Sequence, residues 1–224
     1  TRYRHVTGVQ TCALPIFSAS DGSPDVGEPI RMNEEALIRA AQRGDVDAFN
    51  RLVLEYQQMA YNAAYRVLGN EDRAMDATQD AFLRGFRALN QFRGGSFKTW
   101  LMRIVTNCSY DQLRLNQRRP TTPIEDLVED DEHSMLLDDN TEQPQDRIER
   151  QELGDLIQAG LNTLPPDQRA TVVLCDIEGM DYGEIAQATS VSLGTVKSRL
   201  SRGRAKLRDF LLEHRELLPN GFRL

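Results

Sequence analysis

Between residues 193 and 208 the chain carries Lys197, Arg199, Arg202, Arg204, Lys206 and Arg208 and no acid, although the whole protein has a formal net charge of −7. Phosphate oxygens pair with Lys and Arg, while short hydroxyls and Arg near a helix start reach base edges in a major groove. Thr195, Ser198, Arg199 and Arg202 fall on or near one face of such a helix. Leu193, Val196, Leu200, Leu207 and Leu211 recur at roughly helical spacing on the other face and are expected inward. A second helix must brace this one. Asp181 is a good N-cap, and Glu184 three residues on completes a capping box. Ile185 and Ala186 supply a small buried face, Ser190-Val191-Ser192 breaks the helix, and Ser192 caps the next. The stretch reads as a helix-turn-helix with a basic second helix. The alternative is a solvated cationic helix on an ordinary bundle, which the capping box, the turn and the unbroken sign of charge together disfavour.

A second constellation lies upstream. Phe92, Phe97, Trp100 and Tyr110 sit among Arg93, Lys98, Arg103, Arg114, Arg118 and Arg119. Interleaved aromatics and cations suit single-stranded nucleic acid, whose bases stack and whose phosphates pair. On the residues alone, an aromatic core with snorkelling cations is the better reading. Asp76, Gln79, Asp80 and Arg84 line the outer face of a helix expected over 70–90, either as a docking face for a basic partner or as a plain solvated face.

The elements that position these residues are helical. The 224 residues are 40% hydrophobic and 27% charged, enough to bury one large or two small cores, and nothing approaches an uninterrupted membrane-spanning run. Strand signals are poor, so the fold class is all-α: two small helical domains joined by a flexible acidic linker. The tail 1–31 is Ser-, Gly-, Pro- and Asp-rich and expected to be disordered. Its run VTGVQTCALPI (6–16) resembles the conceptual translation of a sequencing adapter, so 1 to about 17 is expected to be non-native, with the true start at Met32 or lost upstream. The first domain, 32–119, reads as helices capped by Asn33, Asp45, Asn70 and Ser96, the third burying Ala74, Thr78, Ala81, Phe82, Phe86 and Leu89. The linker, 120–147, is acidic and Pro-interrupted, and its carboxylates lack the preformed geometry of a metal site. One expectation is that it mimics nucleic acid and covers a basic surface until DNA competes. The second domain, 148–218, holds a helix from Ile148 to Leu161, another begun by Pro166 and stopped by Gly179, and the helix-turn-helix. Cys12, Cys108 and Cys175 make no CxxC pair; Cys108 and Cys175 are expected as buried thiols in a reducing cytosol, so the chain is placed in the cytoplasm.

Over about 34–212 the chain resembles the extracytoplasmic-function (ECF, group 4) sigma factors of bacterial RNA polymerase. The matching segments are RGDVDAFNRLVLEY, DATQDAFLRGFRAL and FRGGSFKTWLMRIVTNCSYDQLR with Arg118-Arg119, then LNTLPPDQRATVVLCDIEGMDYGEIAQATSVSLGTVKSRLSRGRAKLR. Gly203 stands where Ala is common, which is expected to weaken the helix slightly. The resemblance implies a region-2 bundle that grips and helps melt the minus-ten element, and a region-4 helix-turn-helix that recognises the minus-thirty-five element as duplex. It places Phe92, Arg93, Phe97, Lys98, Trp100, Arg103, Asn107, Arg118 and Arg119 on the opened strand, reversing the preference for an aromatic core. It places Thr195, Val196, Lys197, Ser198, Arg199, Arg202, Arg204 and Lys206 on the duplex. Asp76, Gln79, Asp80, Phe82 and Arg84 become contacts to core polymerase, whose β′ clamp helices and β flap are the implied partners beside promoter DNA and an anti-sigma factor. No cofactor, metal or catalysis by the chain itself is implied. The rivals are a free-standing helix-turn-helix regulator, which leaves the basic-aromatic domain unexplained, and a carboxylate-metal hydrolase, which His5, His133 and His214 are too scattered to support.

Overall fold

A computed structural model describes residues 34–118 and 144–218. All regular elements among them are helical. The first half comprises α1 (Glu34–Gln42), α2 (Val46–Leu68), α3 (Glu71–Ala88) and α4 (Phe97–Arg118). The second comprises α5 (Pro144–Asn162), α6 (Pro166–Val172), α7 (Tyr182–Thr189) and α8 (Leu193–Glu213). The 1–31 tail, the Asn33 cap, Arg119 and the acidic stretch to residue 143 lie outside the described residues, as does the side chain of Arg118.

Helix starts follow from capping chemistry. Asp45 accepts the Ala48 amide and Asn70 the Arg73 amide, each at 3.0 Å, and the Ser96 hydroxyl accepts the Thr99 amide at 3.1 Å. Such caps satisfy amides that the first turn leaves unpaired. Gly69, at φ 66°, ends α2 in the left-handed region. The helix expected from Ile148 begins four residues earlier, at Pro144, because proline fits a first turn whose N–H would be unpaired anyway. Beyond α6 the backbone widens into a π turn over Val173–Ile177, closed by the Glu178 amide on the Val173 carbonyl at 3.0 Å. Nothing in the apolar spacing announces that turn.

Leu52, Phe97, Leu101 and Val105 are at most 2% exposed at the centre of the first half; Leu161, Leu174, Ile185, Val196 and Leu200 are likewise sealed in the second. Three expectations of burial are corrected. Phe86 is 42% exposed; it meets only Phe49 among the described rings, tilted at 58° with centroids 4.9 Å apart, at the rim of the α2–α3 seam. Leu193 is 52% exposed, since the first turn of α8 projects past the brace that α7 provides. Cys175 is only half-buried, on the π turn.

The two halves share one compact unit. Arg169 of α6 is 8% exposed and donates to the Val67 carbonyl that ends α2 (2.8 Å), the Asn162 and Leu164 carbonyls (2.8 and 3.2 Å) and the Asn162 side chain (3.2 Å). A buried cation survives here because three carbonyls at or just past helix C-termini supply partial negative charge. Burial alone pulls its pKa below the usual arginine value.

Candidate nucleic-acid interface

The helix-turn-helix is assembled by local hydrogen bonds. The Asp181 side chain accepts the Glu184 amide at 2.8 Å, and the Glu184 carboxylate accepts the Asp181 amide at 3.0 Å. Ser190, at φ 56°, turns the chain, and Ser192 accepts the Thr195 amide at 3.1 Å to open α8. Val196, Leu200 and Gly203 face inward. A Cβ on Gly203 would stand 2.8 Å from a Val172 methyl and 3.3 Å from one of Leu164. The glycine that propensity marks as a weakness is what lets α8 close on α6.

The outward face of α8 carries small residues flanked by cations. Gly194, Ser198, Ser201 and Ala205 lie along one helical stripe, with Lys197, Arg202, Lys206 and Arg208 exposed beside it. Arg202 donates to the Ser198 carbonyl at 3.1 Å and its hydroxyl at 3.2 Å. Two arginines turn backward instead. Arg199, with its side chain 20% exposed, pairs with Asp167 at 3.0 Å. Arg204 forks onto Asp176 of the π turn, and that hydrogen-bonded pair holds its pKa above the ordinary arginine value.

In the first half, Gln42 donates to the Leu89 and Phe92 carbonyls, both at 3.0 Å, and pins the start of the 92–96 loop to α1. Gly94 and Gly95, at φ 99° and 91°, let that loop turn outward with Arg93 exposed. A pocket of about 410 Å³ opens between α1 and the loop, lined by Glu35, Ile38, Gln42, Phe92, Arg93 and Gly94. Phe92, Phe97 and Trp100 form an aromatic cluster with centroids 5.4–5.8 Å apart. Along α4, half-exposed Trp100 and exposed Arg103 and Asn107 make an i, i+3, i+7 stripe, which Arg114 extends. On α3, Asp76, Gln79, Asp80 and Leu83 make an outer stripe, and Arg84 is held by Asp111 at 2.9 Å.

These features coincide with matches to known families. Residues 52–119 match Sigma-70 region 2, and residues 154–207 match Sigma-70, region 4. The ECF RNA polymerase sigma factor SigE of Mycolicibacterium smegmatis is 38% identical over 210 residues, covering 94% of this chain and 79% of the relative. The ECF RNA polymerase sigma-E factor of Escherichia coli K12 is 33% identical over 177 residues, 78% of this chain and 92% of its own. The chain belongs to the ECF sigma factors. It is accordingly a transcription-initiation factor that works with core RNA polymerase at promoters. The solved complex of the sigma factor RpoE with the anti-sigma factor NepR from Bartonella quintana superimposes with a TM-score of 0.56 at 26% identity, covering 73% of this chain and 96% of that one.

Within this sigma factor the expected contacts divide by exposure. Phe82, Phe97 and Val196 are 3%, 1% and 0% exposed. These three cannot present a face to a partner in this arrangement; their apolar rings and methyls fill the cores that hold α3, α4 and α8 in place. Phe92, 9% exposed, walls the pocket. Lys98 is spent on the Glu178 carbonyl at 2.7 Å. Arg93, Trp100, Arg103 and Asn107 remain open on one side, and Lys197, Ser198, Arg202 and Lys206 on the other. Leu83, 38% exposed beside Asp80, was missed. Its signal was spacing, seven residues after Asp76 on the polar face. Asp167 and Asp176 were missed as well, because a pairing across 28–32 residues leaves no local pattern. Among the described residues no helix is long and apolar enough to cross a membrane.

Proposed function

We propose that this sigma factor holds a bipartite promoter through two surfaces and core polymerase through a third, acting in the cytoplasm without catalysis of its own. The first domain runs 32–119, and the second begins with α5 at Pro144 and runs to 218. The single observation that carries the duplex assignment is the outer face of α8, where small side chains allow close approach and Lys197, Arg202 and Lys206 flank them. Thr195, Ser198 and Arg202 contact bases in the major groove, as does Arg199 once released from Asp167; Lys197 and Lys206 take phosphate, as does Arg204 once released from Asp176. Trp100, Arg103 and Asn107 on α4 line the opened strand, and the pocket under Arg93 takes an unstacked base, whose capture offsets the few kcal/mol of unstacking. Asp76, Gln79, Asp80, Leu83 and Arg84 on α3 dock the β′ clamp helices, and the second half meets the β flap. An anti-sigma factor is a further partner, supported by the sigma–anti-sigma complex of similar fold.

Run-off transcription with bacterial core polymerase on a promoter library tests the reading. Arg202→Ala is expected to relax sequence choice at one upstream position by about 1–3 kcal/mol of discrimination. Normal initiation and unchanged choice on a promoter that depends on the upstream element would sink the assignment of α8.

A further inference from the structure

One face of α2 is left to solvent. Leu54, Gln58, Tyr61 and Tyr65 recur at i, i+4, i+7 and i+11, which makes a single stripe about 17 Å long. Leu54 is 65% exposed, more than any other large apolar side chain described, and both tyrosines are half-exposed. The two rings lie nearly parallel, at 10°, with centroids 6.2 Å apart. The Arg66 guanidinium stands over Tyr65, 5.7 Å from the ring centre, while it donates to the Gly154 carbonyl and the Gln158 side chain at 3.2 Å each. The ring pair is therefore already a seat for one cation. Among the described residues no cation stands over Tyr61.

Charge decides what fits this face. Glu71 and Asp72, exposed at the start of α3, act on Tyr61; Glu71 and exposed Asp155 of α5 act on Tyr65. None of these three carboxylates has an ion-pair partner among the described residues. Burial first, and the carboxylates after it, raise both phenols above their ordinary pKa. Both therefore keep a hydroxyl to donate and a neutral ring with an electron-rich face. Near the other end of the stripe Asp47 and Glu55 outnumber Arg51. Nucleic acid would meet like charge here, and a second copy of the stripe would bring the same acids. Leu54 asks in addition for an apolar contact.

We propose that this stripe docks a cationic amphipathic segment of a protein partner, which lays an apolar side chain on Leu54 and an arginine over Tyr61. Arginine suits the seat better than lysine, because a planar guanidinium stacks on a ring while its N–H groups reach a carboxylate. The site goes beyond the functional reading above and uses no residue assigned to promoter or polymerase. Asp72 stands one turn before Asp76 of the polymerase-docking stripe, so the test has to separate the two surfaces.

The full chain is titrated with a labelled helix-forming peptide of about 18 residues that carries leucine and arginine on one face. Two counterparts replace each arginine with lysine or glutamate. Fluorescence anisotropy should show the arginine peptide bound, more weakly as salt rises, the lysine peptide bound less tightly and the glutamate peptide not bound. Leu54→Lys and Tyr61→Ala/Tyr65→Ala should each weaken binding by about tenfold or more, whereas Tyr61→Phe keeps it. Glu71→Gln/Asp72→Asn should weaken it several-fold. Circular dichroism verifies helix content, and Leu54→Lys, at a mostly exposed position, serves if the double tyrosine variant does not fold. Leu54→Lys should bind core polymerase and initiate transcription as the wild type does. Equal binding of the arginine and glutamate peptides, or full binding by Leu54→Lys, would overturn the proposal. So would a wild-type dimer that Leu54→Lys dissolves, which gives the stripe to a second copy, or weakened polymerase binding by that variant, which makes the stripe part of the polymerase-docking face.

Discussion

Arg169 is the residue whose loss should matter most to stability. Replacing it with Met keeps a long flexible side chain but deletes four hydrogen bonds, to the Val67, Asn162 and Leu164 carbonyls and the Asn162 side chain. Each stranded buried carbonyl costs about 1–3 kcal/mol. Part of that is recovered, because Met does not require desolvating a guanidinium; burial already disfavours the charged form. Three stranded carbonyls at that cost, less the desolvation recovered, give an expected net loss of about 3–5 kcal/mol. Against a typical stability of about 5–15 kcal/mol, that is a large share. Urea titration followed by circular dichroism should show the midpoint falling by roughly 1.5–2.5 M, taking a slope near 2 kcal/mol per M. Two of the three carbonyls belong to the second half, so the helix-turn-helix should lose hydrogen-exchange protection before α3 does. Arg169→Lys should recover only part, because a single ammonium cannot fork between α2 and α5. A midpoint within about 0.3 M of wild type at unchanged slope would refute the reasoning.

Further outcomes follow from the same structure. Leu83→Asp, on the exposed face of α3, should weaken binding to core polymerase at least tenfold while leaving the urea midpoint nearly unchanged; equal binding would remove Leu83 from the docking surface. Gly69→Ala should destabilise the chain by about 1–2 kcal/mol, because it combines a left-handed backbone with a Cβ 2.6 Å from the Asn162 amide oxygen; a neutral urea titration would contradict it. Burial pushes the Cys108 thiol up to about 11, so iodoacetamide at pH 8 should modify half-buried Cys175 well before Cys108. A thiol whose pKa is raised by folding stabilises the fold below its ordinary value near 9, so that contribution should fade as the pH climbs from there toward 11. Equal alkylation of the two thiols in native protein would contradict the burial.

Helix limits were legible because they are local chemistry. Asp45, Asn70, Ser96, Asp181 and Ser192 each cap the helix that their residue type announces. The basic face of α8 was legible for the same reason, since it is written in consecutive residues. What was not legible depends on a partner distant in sequence. The value of Gly203 appears only when Val172 is placed beside it, which inverts the argument from propensity. Arg169 reads as one more surface cation until the ends of α2 and α5 converge on it. Thr99, Met102, Thr106 and Ser109 on α4 have a composition that suits a half-wetted face, yet all four are buried, and the Thr99 hydroxyl donates to Glu184, 85 residues away. The aromatics at 92–100 carry both signals at once. Phe97 answers to the core and Arg93 to solvent, and no spacing rule separates them.

The cations of α8 show why a count of charges overstates what a helix offers to DNA. Of six, Arg199 is matched by Asp167, Arg204 by Asp176 and Arg208 by its neighbour Asp209. Lys197, Arg202 and Lys206 have no carboxylate partner among the described residues. The first two acids come from α6 and the π turn, behind the helix, so they hold the guanidiniums at its flanks rather than across its outer face. A planar guanidinium already held in one orientation has less rotamer freedom to lose when a phosphate replaces the carboxylate. The exchange trades one charge-assisted pair for another, so neither acid need block DNA, and both keep unpaired charge away from the core beneath Val196. The π turn then has a structural reason. Widening the backbone after Val172 carries Asp176 to Arg204 while Val173 and Leu174 remain buried, so a single irregularity meets the demands of the core and of the surface together.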